Sequence, residues 1–337
     1  MSKILVTGGT GYIGSHTVVE LIGAGHEPII IDDLSNSEVS VLDGIEQITG
    51  RRPVFYEEDA GNREAVEKIF SAHPDIRAII HFAAFKAVGE SVVKPLAYYK
   101  NNLYSTINLL ECMLAADIPH FVFSSSCTVY GQPDELPVSE SAPIKQAESP
   151  YGNTKQMCED ILKNVAAATA LKAICLRYFN PVGAHESALI GELPRGVPNN
   201  LMPYITQTAI GKREKLTVFG TDYNTPDGSG IRDYIHVVDL AKAHVKACER
   251  LIAEQNKTPI EFFNLGTGRG NSVLEVINAF ERVNGVKVNY DIGPRRAGDI
   301  EKVYADTSYS NEELGWKAAL GLDEMVASAW KWEQRLV

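Results

Sequence analysis

Residues 3–14 read Lys3-Ile4-Leu5-Val6-Thr7-Gly8-Gly9-Thr10-Gly11-Tyr12-Ile13-Gly14. The first part of this stretch is branched and apolar, as in a buried parallel strand. An apolar pattern with helical spacing follows through Val18, Val19, Leu21 and Ile22, and it stops at the glycines of residues 23–25. The stretch therefore predicts a strand, a glycine-rich turn and a helix, the first unit of an open α/β sheet.

Three glycines of the turn, Gly8, Gly11 and Gly14, stand three residues apart. This spacing is a variant of the dinucleotide-binding fingerprint, in which glycines allow a tight turn and a close approach to a pyrophosphate. The amides at the start of the helix, including those of Tyr12 and Ile13, then face the phosphates. The alternative is a glycine-rich turn that binds no ligand.

An acidic residue follows the second predicted strand, Pro28-Ile29-Ile30-Ile31, at Asp32. Its distance from Gly14 is close to the roughly 20 residues expected for the acid that binds the adenosine ribose. A carboxylate there accepts from the 2′-hydroxyl of NAD and repels the 2′-phosphate of NADP. No lysine or arginine lies between Asp32 and Arg51, so the sequence favours NAD. Alternatively, Asp32 or Asp33 caps the following helix.

A tyrosine and a lysine, Tyr151 and Lys155, stand four residues apart just after Ser149 and Pro150. Proline is favoured at the first position of a helix, and this spacing puts both side chains on one helical face. An ammonium and the positive end of a helix dipole both favour a phenolate. We interpret the pair as a general acid/base that removes a proton from a substrate hydroxyl. The alternative is an exposed helical turn.

A serine cluster, Ser124-Ser125-Ser126, follows the apolar run Phe121-Val122-Phe123. In an open α/β sheet, ligands bind at the carboxyl ends of the strands. We expect Ser126 to hydrogen-bond the substrate oxygen that Tyr151 deprotonates. Such clusters also form turns.

Strand-like runs at residues 77–81, 121–124 and 172–177 alternate with helical stretches near 92–116 and 151–168. This alternation predicts the α/β class, with a Rossmann-type doubly wound parallel sheet. From about residue 181, loops lengthen and shorter elements alternate. We expect a dinucleotide-binding domain over residues 1–180, with a returning segment near 237–265. The remainder of 181–337 would form a smaller mixed α/β domain that binds the substrate.

The 337-residue chain is 45% hydrophobic and carries a formal net charge of −11. This charge argues against nucleic-acid and anionic-membrane binding, which depend on basic surfaces. We expect no membrane span, because no apolar stretch approaches the required length. The first strand begins too early to leave room for a signal peptide. The five cysteines are scattered without a Cys-x-x-Cys, so we expect no disulfide framework and no metal site, and a cytoplasmic location.

Several further motifs share one property, their order along nearly the whole chain. They are His81-Phe82-Ala83-Ala84, Lys86 to Ser91, Tyr98 to Asn102, Arg177 to Ala184, Pro198 to Pro203, Gly230 to Val237 and Pro294 to Asp299. With the glycine turn, the serine cluster and the Tyr151/Lys155 pair, they resemble the extended short-chain dehydrogenase/reductase family. Within that family they resemble the nucleotide-sugar 4-epimerases that act on UDP-galactose.

The resemblance implies an activity: UDP-galactose and UDP-glucose interconvert at C4 through a transient 4-keto sugar, with tightly held NAD regenerated in each cycle. Tyr151, Lys155 and Ser126 would be the catalytic residues, and Lys155 would lower the pKa of Tyr151. The resemblance also implies a homodimer, in which the helices near 92–116 and 151–168 pair as a four-helix bundle.

Matching positions assign the binding residues. Those implied for NAD are Gly8, Gly11, Tyr12, Ile13, Gly14, Asp32, Asn36, Asp59, Ala60, Phe82, Ala83, Lys86, Asn101, Ser126, Tyr151, Lys155 and Tyr178. Those implied for the UDP-hexose are Lys86, Ser126, Thr128, Tyr151, Asn180, Asn200, Leu201, Phe219, Arg232, Arg296, Asp299 and Val303. Arginine forks suit a diphosphate. Alternatively, Arg232 pairs with Asp233, Asn200 caps a helix, Phe219 is core and Lys86 is solvated.

Two positions depart from the pattern of the family. Cys127 follows Ser126 where a small residue is usual, and related epimerase-reductases use a cysteine there; the alternative is a buried small side chain. Val303 stands where a bulky aromatic residue would exclude an N-acetyl group from the sugar pocket. We therefore hypothesise that UDP-GlcNAc and UDP-GalNAc also interconvert.

Three other functions fit the sequence less well. A nucleotide-sugar dehydratase needs an Asp-Glu pair directly after the site hydroxyl, where Cys127 and Thr128 stand. An NADP-dependent reductase is disfavoured by Asp32. A non-enzymatic NAD sensor would typically lack the serine, tyrosine and lysine set.

Overall fold

The computed structural model describes residues 1–295 and 300–337. The strands are β1 Lys3–Thr7, β2 Glu27–Asp32, β3 Val54–Glu57, β4 Ile76–His81, β5 His120–Ser124, β6 Lys172–Tyr178, β7 Asn180–Val182, β8 Leu216–Phe219, β9 Ile231–His236, β10 Ile260–Leu265, β11 Gly270–Ser272, β12 Tyr290–Gly293 and β13 Lys302–Val303. The helices are α1 Tyr12–Gly23, α2 Val41–Thr49, α3 Arg63–Ala72, α4 Val88–Val93, α5 Pro95–Ala115, α6 Pro150–Ala168, α7 Leu201–Ala209, α8 Val237–Ile252, α9 Val273–Asn284, α10 Ser308–Glu313 and α11 Leu322–Arg335. A short 3-10 helix spans Cys127–Tyr130.

A seven-stranded sheet forms the larger part of the molecule, in the order β10-β6-β5-β4-β1-β2-β3. Every neighbouring pair in it is parallel. The strand order runs outward in both directions from the centre, so helices cover both faces. This confirms the predicted Rossmann-type doubly wound sheet.

Alternate residues of each strand enter two different hydrophobic cores, one on each face of the sheet. Leu5 is buried with Leu109 of α5 and Leu162 of α6, whereas its neighbour Val6 is buried with Val18 of α1. Successive side chains of a strand point to opposite faces, so a sheet covered on both faces needs apolar residues throughout. This explains the unbroken apolar runs in the sequence.

The long helix expected near residues 92–116 is two helices, α4 and α5, which meet at Lys94. Pro95 takes the first position of α5. The residue before a proline is disfavoured in the helical conformation, and Lys94 accordingly has φ −125° and ψ 53°. The single-helix prediction is therefore wrong at this point.

A smaller mixed sheet follows the larger one, as expected from the change of pattern after residue 181. Its central strand β9 pairs in parallel with β7 and β13 and antiparallel with β11. A separate parallel pair joins β8 to β12. The core of this region includes Val182, Met202, Val218, Ile277 and Met325.

The segment from α8 to β10 returns to the larger sheet. Helix α8 packs against α1, and β10 pairs with β6 at the edge of the sheet. Within residues 1–295 and 300–337, no helix combines the length and the apolarity needed to cross a membrane.

Candidate active site

The turn after β1 is held by backbone contacts that leave no room for side chains. Gly8 has φ +68°, in the left-handed region that favours glycine, and its amide donates to the carbonyl of Ile31 over 2.9 Å. A Cβ on Gly8 would lie 2.8 Å from the Ala83 nitrogen, and one on Gly14 would lie 2.1 Å from the Gly8 oxygen. The glycines thus bring α1 against the turn.

The start of α1 offers its own amides to a ligand. The N-cap residue is Gly11, which has no side chain to accept from the first amides, and the first turn contains no acidic residue. The partial positive charge of a helix N-terminus favours an anion at such a position. Tyr12 turns its hydroxyl to the Gly183 carbonyl, 2.6 Å away, and so links this helix to the loop after β7.

Asp32 is a buried carboxylate at the end of β2. Its Oδ2 accepts from the Thr10 amide at 3.1 Å, and its Oδ1 accepts from the Leu34 amide and the Ser37 hydroxyl at 3.0 Å. Helix α2 begins only at Val41, so neither Asp32 nor its neighbour caps it. The helix-cap alternative is therefore wrong, and Asp32 instead joins the glycine turn to the loop beyond β2.

An arginine lies on this loop, although the sequence between Asp32 and Arg51 contains no basic residue. Arg195 donates to the carbonyls of Ser35 and Ser37, over 2.8 and 2.5 Å. The absence of a basic residue between Asp32 and Arg51 therefore does not exclude a cation near this loop. Arg195 comes from a distant segment of the chain, which the local sequence does not show. Both of its donating nitrogens are already bonded to backbone carbonyls.

The predicted cofactor residues gather at one edge of the larger sheet, because parallel strands end there together. Gly8 to Gly14 follow β1, Asp32 and Asn36 end or follow β2, Asp59 and Ala60 follow β3, Phe82, Ala83 and Lys86 follow β4, Ser126 follows β5, and Tyr178 ends β6. Helices α5 and α6 add Asn101, Tyr151 and Lys155.

Several of these residues are fixed by specific contacts. The Asp59 Oδ1 accepts from the Gly61 amide at 2.7 Å, and the Ala83 amide donates to the hydroxyl of Thr7 at 3.2 Å. Asn101 donates to Asn102 at 3.1 Å. Asn36 is exposed in the loop after β2. The contacts hold the sheet edge in one conformation while Asn36 stays open to solvent.

Tyr151 and Lys155 lie in the first two turns of α6. Ser149 caps this helix by accepting from the Gly152 amide at 3.1 Å, and Pro150 starts it. Tyr151 is 6% exposed and Lys155 is 4% exposed. The alternative of an exposed helical turn is therefore wrong.

The ammonium of Lys155 is held by the backbone of β5. Its Nζ donates to the Ser124 carbonyl over 2.8 Å and lies 5.9 Å from the centre of the Tyr151 ring. Burial lowers the pKa of Lys155 to about 8. An enclosed ammonium loses its hydration, and one carbonyl replaces only part of it.

The pKa of Tyr151 is raised well above 10, first because the phenol is buried and next because of nearby Tyr178. A hydrogen bond with Ser126 acts in the opposite direction and does not overcome the burial. The expectation that Lys155 lowers this pKa stays a prediction. The loss of phenolate hydration outweighs the effect of Ser126, so positive charge beside the phenol would favour the phenolate.

The three serines at the end of β5 and directly after it have three different partners. Ser124 donates to the Tyr178 hydroxyl at 3.0 Å, and Ser125 donates to the Glu159 carboxylate at 2.7 Å. The Ser126 hydroxyl accepts from the Thr128 amide at 3.2 Å and so caps the 3-10 helix. The turn alternative is confirmed, because Ser126 caps the 3-10 helix, and its proximity to Tyr151 is compatible with the site interpretation, which stays a prediction.

A buried ion pair lies behind the serines, and the sequence analysis did not find it. Arg177 donates to both oxygens of Glu159, over 2.9 and 2.7 Å, and to the Tyr130 hydroxyl over 3.0 Å. Such a two-pronged pair fixes both partners. Glu159 stands one helical turn after Lys155. This spacing, which places Glu159 near the site, was the signal that the sequence offered.

The predicted substrate residues lie mainly in the smaller region. Strand β9 brings three of them together, since Arg232 is paired with Val303 of β13, and Asn180 of β7 is paired with Tyr234. Phe219 is half-buried at the end of β8. Arg296 and Asp299 lie outside the described residues.

The proposed ion pair between Arg232 and Asp233 is not what holds the aspartate. Asp233 is fully buried and accepts from the amides of Thr267, Gly268 and Ala305 at 2.8 to 3.2 Å. Adjacent residues of a strand point to opposite faces. Asp233 therefore serves the backbone behind β9, and Arg232 faces the other side.

Two polar side chains in this region suit a polar ligand. The Thr128 hydroxyl oxygen is buried and has no hydrogen-bond partner among the described residues. Asn200 occupies the cap position of α7 but makes no cap hydrogen bond. Its side-chain amide donates to Glu192 over 2.6 Å instead, so the alternative in which it caps the helix is wrong.

The two unusual positions, Cys127 and Val303, pack in one apolar cluster with Val129, Phe179 and Ala305. Val303 is 7% exposed. Burial raises the pKa of Cys127 to about 12. The thiol is therefore neutral at physiological pH and packs as a small apolar group.

The chain matches known proteins along almost its full length. The model of a family described as GDP-mannose 4,6 dehydratase matches residues 5–329. UDP-glucose 4-epimerase of Bacillus subtilis is 53% identical over 331 residues, which cover 98% of this chain and 96% of that protein. The chain belongs to the UDP-glucose 4-epimerase family. This confirms the predicted resemblance to the extended short-chain dehydrogenases/reductases.

Solved structures of the epimerase family match the fold closely. That of the Stenotrophomonas maltophila enzyme, with bound NAD and formylated UDP-arabinopyranose, has a TM-score of 0.96 and 49% identity, covering 100% of this chain and 99% of that chain. That of the Bifidobacterium longum enzyme, with NAD+ and UDP, has a TM-score of 0.94 and 48% identity, covering 99% and 98%. The epimerase relatives thus hold the two kinds of ligand that the sequence predicts for this chain.

Proposed function

We propose that this chain interconverts UDP-galactose and UDP-glucose by inverting the configuration at C4 of the hexose. The observation that carries the proposal is the convergence of buried Tyr151 and Lys155 with Ser126 at the sheet edge where the glycine turn also lies. Family membership at about half identity supports the same reaction. The proposal requires a bound dinucleotide and a bound UDP-hexose.

The residues at the sheet edge fit NAD. The Gly8 and Gly14 positions exclude a Cβ, the α1 amides are open to phosphate, and Asp32 offers a carboxylate to a ribose hydroxyl. We infer that the cofactor residues named from the sequence hold it, within residues 1–180 and the returning segment near 237–265. When bound, NAD would accept a hydride from C4 and return it to the opposite face, so none is consumed.

The residues of this chain would manage the proton and the orientation of the sugar. Tyr151 would take the proton of the 4-hydroxyl and give it back to the 4-keto oxygen. Ser126, already in contact with Tyr151, would hydrogen-bond that oxygen. Lys155 would keep a positive charge beside the phenolate. Because burial opposes the phenolate, the positive charge of an oxidised nicotinamide would also favour it.

The remainder of residues 181–337 would hold the UDP-hexose. The pairing of β7, β9 and β13 supports a shared role for Asn180, Arg232 and Val303. The unpartnered Thr128 hydroxyl supports a polar contact at the border with the cofactor site. Leu201, Phe219, Arg296 and Asp299 complete the proposed set.

We also propose that N-acetylated UDP-hexoses are substrates. Val303 is small compared with an aromatic side chain, and it lies in an apolar cluster with Cys127 and Phe179. A sugar pocket bounded by Val303 would have more space for a substituent at C2 than one bounded by an aromatic side chain. UDP-GalNAc that stays unconverted, where UDP-galactose turns over, would refute this.

A homodimer through a four-helix bundle is proposed from the outer faces of α5 and α6. Leu96, Tyr104 and Ile107 of α5 are 82, 65 and 42% exposed, and Met157 of α6 is 40% exposed. Large apolar side chains grouped on paired helices are typical of an interface. Light scattering should give twice the chain mass, and Tyr104→Glu should give monomers.

We also propose a cytoplasmic location. All five cysteines are free, and four of them are buried. Unpaired cysteines are typical of a reducing compartment.

The dehydratase named in the family model is the second candidate, and the residues after the site serine disfavour it. Expulsion of water needs an acid and a base there. Burial keeps the Cys127 thiol neutral, with a pKa of about 12, and Thr128 is a hydroxyl without acidic character near neutral pH.

The decisive experiment incubates purified protein with UDP-galactose and no added cofactor, and quantifies UDP-glucose. Conversion to a stable mixture without net NADH is the expected result. No conversion after NAD is supplied, or formation of a dehydrated sugar, would overturn the proposal.

A further inference from the structure

A carboxylate outside the predicted set contacts residues from both halves of the proposed site. The Glu192 Oε1 accepts from the Asn200 side-chain amide at 2.6 Å and lies 3.7 Å from the Lys86 ammonium. Lys86 follows β4 of the larger sheet, and Asn200 precedes α7 of the smaller region. One oxygen therefore connects a residue of the proposed cofactor side with a residue of the proposed sugar side.

The backbone of Glu192 is held by the C-terminal helix. Its carbonyl accepts from the Trp332 indole nitrogen over 2.8 Å. Gly191 lies against the same indole, since a Cβ there would be 2.5 Å from the ring. The Glu192 side chain is only 13% exposed. These contacts hold the backbone of Glu192 at the position from which its carboxylate contacts Lys86 and Asn200.

The Asn200 side chain could instead cap α7, but it is bonded to Glu192. It occupies the cap position of α7 with φ −96° and ψ 150°, the backbone conformation of a capping residue. Asparagine is among the best helix caps, yet its side chain makes no cap hydrogen bond here. A cap would need the Asn200 Oδ1 as an acceptor in another side-chain orientation, so the hydrogen bond from its Nδ2 to Glu192 selects an orientation that does not cap the helix.

We propose that Glu192 is a positioning residue, which turns the Asn200 side chain away from the end of α7 and toward the nucleotide-sugar site. The inference rests on the proposed function, in which Asn200 binds the UDP-hexose. Lys86 balances the charge of Glu192 and keeps the carboxylate oriented.

The direction of the change in substrate binding distinguishes a positioning role of Glu192 from a purely electrostatic one. UDP-galactose is an anion, so removing a negative charge near its site would by itself strengthen binding. If Glu192 acts by orienting Asn200, its removal weakens binding instead. The two explanations therefore predict changes in opposite directions.

The experiment compares Glu192→Ala and Glu192→Gln with the control Glu186→Ala. Glu186 lies in the same segment, and its side chain is exposed. We expect Glu192→Ala to raise KM for UDP-galactose and Kd for UDP about tenfold, the loss of one charged hydrogen bond, with kcat within roughly twofold. Glu192→Gln keeps an oxygen acceptor and should rescue most of the loss. Glu186→Ala should leave all three constants unchanged.

Two further readouts guard against a merely structural role. In an Asn200→Ala background, Glu192→Ala should cause no additional loss, because the residue it positions is gone. The unfolding temperature of Glu192→Ala should be unchanged or raised, since Asn200 becomes free to cap α7.

Unchanged or tighter UDP binding in Glu192→Ala, or an equal loss in the Asn200→Ala background, would overturn the inference. A wild-type protein that binds UDP but converts no UDP-galactose would instead overturn the proposed function. UDP binding by titration calorimetry keeps the two failures distinct.

Discussion

Lys155 donates its hydrogen bond to the backbone carbonyl of Ser124, at 2.8 Å, and not to the phenol of Tyr151. The lysine therefore joins α6 to the end of β5 and acts on the tyrosine through space, with 5.9 Å between its nitrogen and the ring centre. Burial lowers the pKa of Lys155 and raises that of Tyr151. Burial thus disfavours the charged form of both groups. The proposed chemistry therefore depends on the ligands that bind beside them.

Tyr151→Phe should reduce epimerase activity by about 10²–10⁴-fold, the usual contribution of a general acid/base. The phenol oxygen is lost while the ring keeps its packing, so bound NAD should stay near the wild-type level. Turnover of UDP-galactose and the NAD content of purified protein are the two measurements. Tyr290→Phe, at an exposed position of β12, is the matched control. Activity within tenfold of wild type in Tyr151→Phe would exclude the tyrosine as the base.

Replacing Lys155 by methionine should change how the free energy of unfolding depends on pH, because the wild-type protein buries the charge of the lysine. The pKa falls from 10.5 to about 8 on folding, so between these values the unfolded chain binds more protons and wild-type stability rises with pH. Below pH 8 the buried Lys155 is charged, and the folded state carries the full cost of removing that charge from water. The stability of Lys155→Met relative to wild type should therefore decrease by about 2 kcal/mol from pH 7 to pH 10.

Urea unfolding at the two pH values measures this difference. Lys163→Met, on the exposed side of the same helix, should show no comparable change. A relative stability of Lys155→Met that does not vary with pH would mean that Lys155 is not buried as a charged group.

Asp32→Asn should release NAD. The change removes the carboxylate charge that would receive the ribose hydroxyl, and it weakens the hydrogen bonds to Thr10 and Ser37. A lost charged hydrogen bond costs about 1.5–3 kcal/mol, or roughly 10- to 100-fold in affinity. The NAD content after purification and the Kd for added NAD test this. Asp33→Asn, at the exposed neighbouring residue, should retain the cofactor; equal losses in both variants would point to the loop as a whole.

Gly14→Ala should destabilise the protein, whereas Gly23→Ala should not. A Cβ at residue 14 would lie 2.1 Å from the Gly8 oxygen, while one at residue 23 meets nothing within 4 Å. We expect a loss of about 1–3 kcal/mol for the first and a gain of about 0.5–1 kcal/mol for the second. Denaturant titration gives both values. A neutral Gly14→Ala with full NAD content would show that the turn can relax.

Val303→Tyr should narrow the range of substrates. The larger ring would fill the space proposed for a C2 substituent, so kcat/KM for UDP-GalNAc should fall about 100-fold or more relative to UDP-galactose, as expected when one substrate clashes and the other fits. Activity with UDP-galactose serves as the internal control for folding. An unchanged ratio of the two kcat/KM values would show that residue 303 does not limit the pocket.

Local patterns in the sequence were sufficient for the fold and for the placement of Tyr151 and Lys155 on one helix. The glycine turn, Asp32, and the spacing of Tyr151 and Lys155 each depend on contacts within one βα unit or one helical turn, where periodicity predicts geometry directly. The single error among the long helices, at Lys94, had its own local signal in Pro95.

The rest of the site depends on contacts between distant segments, which periodicity does not encode. Arg195 reaches the loop after β2, Glu192 meets Lys86, and Arg177 is held by Glu159. The protonation of Tyr151 also depends on more than its neighbours in the sequence. Its pKa depends on how completely several elements enclose it, whereas the sequence shows only the neighbouring charge.

The edge strand β10 has a consequence for synthesis on the ribosome. It completes the seven-stranded sheet against β6, yet its residues emerge long after those of every other strand in that sheet. A nascent chain that ends before Ile260 has all the residues of the glycine turn and of the tyrosine and lysine pair, but it exposes an unpaired edge along β6. Open edges recruit other strands, so stalled or truncated chains should be the aggregating species, and their need for chaperones should end once β10 has been translated and docked.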